Sequence, residues 1–143
     1  MYVDDVIFAK RTSIERCIAQ IESYMSQRSD TPLGEDFLTQ DAVTMNIQRA
    51  CESCIDIANR VVRVRRLGTP KESRDSFVLL AEGSIIDTPM LRILLSMVGF
   101  RNILVHQYTR LDPSILHAVI TTHIYEVLAF AQAMVQLPQP EQQ

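Results

Sequence analysis

The segment Arg101–Asp112 carries several polar side chains that suit acid–base or phosphate chemistry, among them Arg101, Asn102, His106 and Tyr108. A histidine titrates near neutral pH and can transfer a proton. An arginine stays cationic and binds phosphate through two parallel hydrogen bonds. Together they suffice for RNA cleavage without a metal ion, in which His106 moves a proton and Arg101 stabilises the phosphorane charge. Asn102 would position the histidine or a phosphate oxygen, and Tyr108 would contact phosphate or stack on a base.

The spacing of these residues limits how one helix can present them. A helix turns by about 100° per residue, so Asn102 and His106 share a face, whereas Arg101 and His106 point about 140° apart. The spacing therefore predicts one of two arrangements. Either the helix loosens here, or two copies face each other in a C2 homodimer and complete the site along the dyad. Spacing alone also leaves open a purely structural role for these residues.

The elements that position this segment are predicted to be helices. Apolar residues recur at helical spacing over 3–27, 36–66, 71–82, 89–107 and 113–136. Asp87-Thr88-Pro89 and Asp112-Pro113 are typical helix starts, with a capping side chain before a proline. The helix over 89–107 is nearly all apolar up to Met97 and is expected to be the most buried. The sequence thus predicts an all-α bundle of four or five helices over residues 1–137, and a flexible C-terminal tail over 138–143.

Composition indicates a soluble globular protein, with 47% hydrophobic and 22% charged residues. The acidic start does not resemble a signal peptide, and no apolar run is expected to reach the roughly 18 residues of a membrane span. Three cysteines are too few for a disulfide framework, so a cytoplasmic protein without a membrane partner is expected. Cys51 and Cys54 are interpreted as small core residues rather than zinc ligands, and no metal site is predicted.

Charge is unevenly distributed along the chain. Residues 57–110 carry nine basic and four acidic side chains, although the whole protein has a net charge of −3. A local field of this kind can attract a polyanion. Basic side chains near a helix C-terminus also have a simpler explanation, because they interact favourably with the helix dipole. The candidates for RNA binding, which we call the basic set, are Arg60, Arg63, Arg65, Arg66, Lys71 and Arg74.

The pattern Arg-x4-His-x-Tyr resembles the signature of HepT-like toxins, which belong to the HEPN superfamily of small all-α ribonucleases. Arg101, Asn102, His106 and Tyr108 match it without gaps. Five other segments are similar to recurrent segments of that family and occur in the same order. They span residues 46–50, 54–59, 67–70, 77–80 and 97–100.

The resemblance implies a HEPN helical bundle that acts as a homodimer, with its site in a cleft between protomers. It implies metal-independent RNA cleavage that inhibits growth, carried out by Arg101 and His106 without a cofactor. The implied partner is a minimal nucleotidyltransferase antitoxin of the MntA type, which forms a hetero-oligomer with the toxin. That antitoxin would use ATP to attach AMP to Tyr108. The added negative charge and bulk would then oppose RNA binding.

Two other functions remain open. The chain could be a catalytically silent HEPN module that binds RNA or nucleotide, mainly through the basic set, or a scaffold whose helices simply dimerise. Glu52 and Asp56 lie one turn apart on the second predicted helix. They either face the site or form an exposed acidic edge.

Overall fold

The computed structural model describes residues 3–107 and 111–140, and within them all regular structure is helical. This confirms the predicted all-α class. The helices are α1 (Asp5–Gln27), α2 (Phe37–Val64), α3 (Ser73–Glu82), α4 (Thr88–His106), α5 (Pro113–Ala118) and α6 (Ile124–Val135). A single π-helical turn, Val119–His123, joins α5 to α6. The predicted last helix therefore exists, but it contains a local change of hydrogen-bond register that its apolar spacing did not indicate.

Aspartates begin four of these helices. The side chains of Asp4, Asp36, Asp87 and Asp112 each accept a hydrogen bond from a backbone N–H in the first turn of the following helix. These bonds satisfy donors that have no partner within the helix. At the other end, α2 and α3 are closed by Arg66 and Ser84, which adopt φ of 55° and 60°. The left-handed conformation lets the next backbone N–H turn back onto the last helical turn.

The core is centred on α2, which packs against α1, α3, α4 and α6. Fifteen of its 28 residues are buried. Phe77 of α3 and Phe130 of α6 are fully buried and meet edge to face, with ring centroids 5.7 Å apart. The expectation that α4 is the most buried helix is wrong, because only five of its 19 residues are buried. Five of its other apolar residues are only partly buried, and most of its exposed residues are polar or small.

Two helical stretches are long and apolar enough to cross a membrane by length and composition, Thr88–His106 and Pro113–Val135. This corrects the expectation that no apolar stretch reaches that length. Apolar helices of soluble bundles pass the same test, so the finding is only a weak indication of a membrane segment. Both stretches lie within the bundle, where Leu94 and Met97 of α4 and Val127 and Phe130 of α6 are buried.

Candidate active site

Arg101 lies on the inner side of α4, where it reaches two neighbouring helices. Its Nη1 donates to Oε1 of Glu52 on α2 at 3.1 Å, and its Nη2 donates to Oγ of Ser73 on α3 at 3.1 Å. The Arg101 side chain is 19% exposed and that of Glu52 is 46% exposed. The Nε atom is buried without a hydrogen-bond partner among the described residues. The guanidinium is therefore fixed at the edge of the bundle but not saturated with acceptors.

His106 and Asn102 lie on a side of α4 different from that of Arg101. Both are exposed, and α4 remains helical to His106, which is its last residue. The helix therefore does not loosen between Arg101 and His106, and their side chains leave it about 140° apart. Arg101 turns toward α2 and α3, whereas His106 turns to solvent. Arg101 and His106, which the sequence predicts to act together, are therefore not brought together within the described part of the chain.

Tyr108, the predicted site of AMP attachment, lies outside the described residues. It follows His106 by two positions in the sequence.

The structure divides the basic set into two groups. Arg60 donates from Nε to the carboxylate of Asp4, at 3.1 Å to Oδ2, and Arg65 donates to the carbonyl oxygen of Pro138. Arg60 thus links α2 to the N-cap residue of α1, and Arg65, just after α2, contacts the segment after α6. The other members of the set are exposed and form no ion pair with the residues described here: Arg63, Arg66, Lys71 and Arg74.

The two acidic residues of α2 have different partners. Glu52 binds Arg101, whereas Asp56, one turn along, pairs with Lys10 of α1 at 2.9 Å. Only Glu52 therefore faces the candidate site. Ser73 was not a sequence candidate, because a serine at the first position of a helix is common and nothing in the local sequence links it to Arg101.

The outer face of α4, defined here by Arg92, Ser96, Gly99 and His106, is exposed along its length. Gly99 lies seven residues before His106 and so shares its side of the helix. A Cβ atom added to Gly99 would meet nothing within 4 Å. One flank of this face opens into a cavity of about 370 Å³ between α2, α4 and the stretch from α5 to α6. The cavity walls are largely apolar, with Phe100, Ile115 and Val119 among them.

The three cysteines are buried and free, Cys17 on α1 and Cys51 and Cys54 on α2. Burial raises the pKa of the Cys51 thiol to about 12 and raises those of Cys17 and Cys54 as well. The thiols are therefore protonated at neutral pH and are poor nucleophiles. No group of three His, Cys, Asp or Glu side chains suited to a metal ion occurs in residues 3–107 and 111–140.

Comparison with known sequences gives two matches that span most of the chain. A model of the family described as HepT-like ribonucleases matches residues 14–134. The protein named mRNA nuclease HepT, from Shewanella oneidensis strain MR-1, is 42% identical over 128 residues. Those residues cover 90% of this chain and 95% of that protein.

Comparison with solved structures agrees with the sequence matches. The tri-AMPylated Shewanella oneidensis HEPN toxin in complex with MNT antitoxin is 40% identical, with a TM-score of 0.84 and coverage of 92% of this chain and 97% of that chain. A toxin–antitoxin complex with AMP-PNP is also 40% identical, with a TM-score of 0.84 and coverage of 92% and 98%. YutE of Bacillus subtilis, at 20% identity, TM-score 0.64 and coverage of 94% and 90%, shares the fold.

Proposed function

The chain belongs to the HepT-like ribonuclease family, and from this premise we propose that it is the ribonuclease toxin of a toxin–antitoxin system. The observation that carries the proposal is the near full-length similarity to an mRNA nuclease and to a HEPN toxin solved with its antitoxin. Cleavage requires RNA and the AMP-dependent control requires ATP, so the cytoplasm is the compartment in which the protein would act.

Arg101 and His106 are the residues we assign to RNA cleavage. The 2′-hydroxyl attacks the adjacent phosphorus, a bond forms between that oxygen and phosphorus, and the bond to the 5′-oxygen breaks. His106 takes the proton from the 2′-hydroxyl or gives one to the leaving 5′-oxygen, and solvent water makes the other proton transfer. Arg101 donates hydrogen bonds to the phosphate oxygens, whose negative charge grows as the phosphorane forms. Asn102, one turn before His106, orients the imidazole or a phosphate oxygen. No step needs a metal ion.

We assign this site to a C2 homodimer in which the outer faces of two α4 helices meet. Arg101 and His106 of one copy leave α4 about 140° apart, so one copy does not direct both at one phosphate. We therefore assign the missing group to the twofold partner. The open space next to the Cα atom of Gly99 allows close approach of a second helix on the side of α4 that carries His106. The α4 helix is strongly apolar, yet most of it is not buried within one protomer. A second copy would complete the burial of its partly exposed apolar side chains.

The dimer is tested by substituting Gly99. Gly99→Phe places a ring where the protomer has open space, so the isolated protomer should fold, with a helix propensity at least as good as that of the parent. The ring should separate the two copies, and sedimentation should show a shift from dimer to monomer together with loss of cleavage. A Gly99→Phe protein that remains a fully active dimer would exclude this packing.

Cleavage is tested with purified protein in EDTA. Wild type should degrade RNA, and His106→Ala should reduce the rate by about 10²–10⁴-fold, the usual contribution of a general acid or base. His117→Ala is the matched control, because His117 is also exposed and lies in the last turn of a helix. Full cleavage by His106→Ala would refute the mechanism. RNA binding by a wild-type protein that never cleaves would favour a silent HEPN module.

We assign neutralisation to AMP attachment at Tyr108 by an MntA-type nucleotidyltransferase, with ATP as the AMP donor and the two proteins in a hetero-oligomer. The adenylate would place a phosphate charge and a base two residues from His106, where the RNA backbone must bind. Co-expression with the cognate enzyme should add one or more AMP masses to wild type and none to Tyr108→Phe. Tyr24→Phe, at an exposed tyrosine of α1, is the control. An unmodified Tyr108 would refute this switch.

A further inference from the structure

Arg101 is held by acceptors from two different helices. Glu52 of α2 takes one hydrogen bond from Nη1, and Ser73 of α3 takes one from Nη2, both at 3.1 Å. A guanidinium has five N–H donors in a fixed plane, and each Nη carries two of them. With one donor of each Nη used, the second on each remains for another acceptor. The two contacts thus fix the plane of the group and leave one further donor on each Nη.

We propose that Glu52 and Ser73 are positioning residues for Arg101, which hold its guanidinium in the orientation that receives the scissile phosphate. The proposal rests on the proposed function, because it assumes that Arg101 binds that phosphate. A free arginine side chain would lose rotamer freedom on binding substrate, whereas an arginine already held by two helices has lost it on folding. Orientation is therefore established before RNA arrives.

The pairing of Glu52 and Arg101 also explains the different roles of the two acidic residues on α2. Glu52 and Asp56 have the same side-chain exposure, 46%, and each forms one ion pair. Asp56 pairs with Lys10 of α1, away from α3 and α4. Only Glu52 contacts a residue that the mechanism uses. An acidic group beside an anionic substrate is electrostatically unfavourable, so its hydrogen bond to Arg101, rather than its charge, is the property that the mechanism needs.

This distinction sets the expected results for Glu52. Glu52→Ala should lower kcat by about 10–100-fold, the range expected when a hydrogen bond to a charged group is lost. Glu52→Gln keeps an oxygen acceptor within reach of Nη1 and removes the negative charge, so kcat should recover to within about threefold of wild type. KM for RNA should fall or stay constant, because the anionic backbone no longer approaches a carboxylate. A residue that only stabilised the fold would not produce this split.

Substitutions of Ser73 provide an independent test of the positioning proposal. Ser73→Ala removes the acceptor of Nη2 and should lower kcat by about tenfold, whereas Ser73→Thr keeps the hydroxyl and should restore it. Asp56→Ala is the matched control for Glu52→Ala, since it removes an equally exposed acidic residue and its ion pair from the same helix. Thermal unfolding of each variant, measured beside the kinetics, identifies any variant that is not folded at the assay temperature.

The outcomes separate the two proposals. If Arg101→Ala abolishes cleavage but Glu52→Ala and Ser73→Ala are folded and cleave as fast as Asp56→Ala, the positioning proposal is wrong and the proposed function stands. If Glu52→Gln is as impaired as Glu52→Ala, the carboxylate charge rather than the acceptor is needed, and the proposal is also overturned. If Arg101→Ala itself cleaves RNA at the wild-type rate, the role assigned to Arg101 fails and the positioning proposal fails with it. If the wild-type protein cleaves no RNA, the proposed function fails.

Discussion

Mixing two inactive variants, Arg101→Ala and His106→Ala, should restore RNA cleavage that neither has alone. The reason is the geometry of α4, which stays helical to its last residue and directs these two side chains about 140° apart. Arg101 is held against α2 and α3, whereas His106 is exposed. A complete site then takes its arginine from one protomer and its histidine from the other.

The size of the recovery follows from this arrangement. Random exchange of an equal mixture gives about half mixed dimers, and each mixed dimer has one complete Arg101–His106 pair out of two. The mixture should therefore reach about one quarter of the wild-type rate. Each variant alone should be slower than wild type by about 10²-fold or more. The recovered activity should exceed that of either variant by more than tenfold.

A second mixture tells a site between protomers from a site within one. Wild type mixed with the double variant Arg101→Ala/His106→Ala should keep about one quarter of the wild-type rate if each site is shared, because the mixed dimers contain no complete pair. If each site lay within one chain, about half would remain. A fluorogenic RNA in EDTA measures the rates, and native mass spectrometry counts the mixed dimers. No recovery in the first mixture, with mixed dimers present, would refute a shared site.

Three further predictions concern charge and stability. Replacing Arg63, Lys71 and Arg74 by Gln in the His106→Ala protein should weaken RNA binding. The slope of log K against log[salt] should also become shallower by about 0.7 per lost phosphate contact. The same changes at the exposed Arg16 and Arg49 should have neither effect, and equal effects would refute a role for the basic set. Asp4→Ala should lower the free energy of unfolding by about 2 kcal/mol, because it removes both the cap of α1 and the partner of Arg60. Asp4→Asn keeps the cap and should lower it by about 1 kcal/mol. Equal losses for the two variants in urea unfolding would contradict separate contributions from the cap and the ion pair. Ser84→Gly should raise the free energy of unfolding by about 1 kcal/mol, since Ser84 has φ of 60°, and a fall in Tm would contradict it.

The helices could be predicted from the sequence because their ends are encoded locally. An aspartate at the first cap and a proline just inside the helix act through neighbours within three or four residues, as at Asp87 and Asp112. The segment that carries Arg101, Asn102 and His106 could likewise be identified, since its residue types and their spacing are visible directly in the chain.

The partners of these residues could not be predicted, because they are distant in sequence. Arg60 meets Asp4 across 56 positions, and Arg101 meets Glu52 across 49. Hydrophobic periodicity predicts which side of a helix is apolar but not which residues pack against that side. For this reason its apolar composition predicts that α4 is buried, although five of its apolar residues are only partly covered. The π-helical turn at Val119–His123 also lacks a local signal, because it changes the backbone register and not the residue types.

The core contains three buried thiols that can report when it opens, those of Cys17, Cys51 and Cys54. Only a thiolate reacts rapidly with an alkylating reagent, and burial keeps all three groups protonated and covered in the folded protein. A brief pulse of iodoacetamide should therefore label only molecules whose α1–α2 interface has opened. The fraction of molecules whose mass increases then equals the fraction that opened during the pulse, and no dye has to be attached.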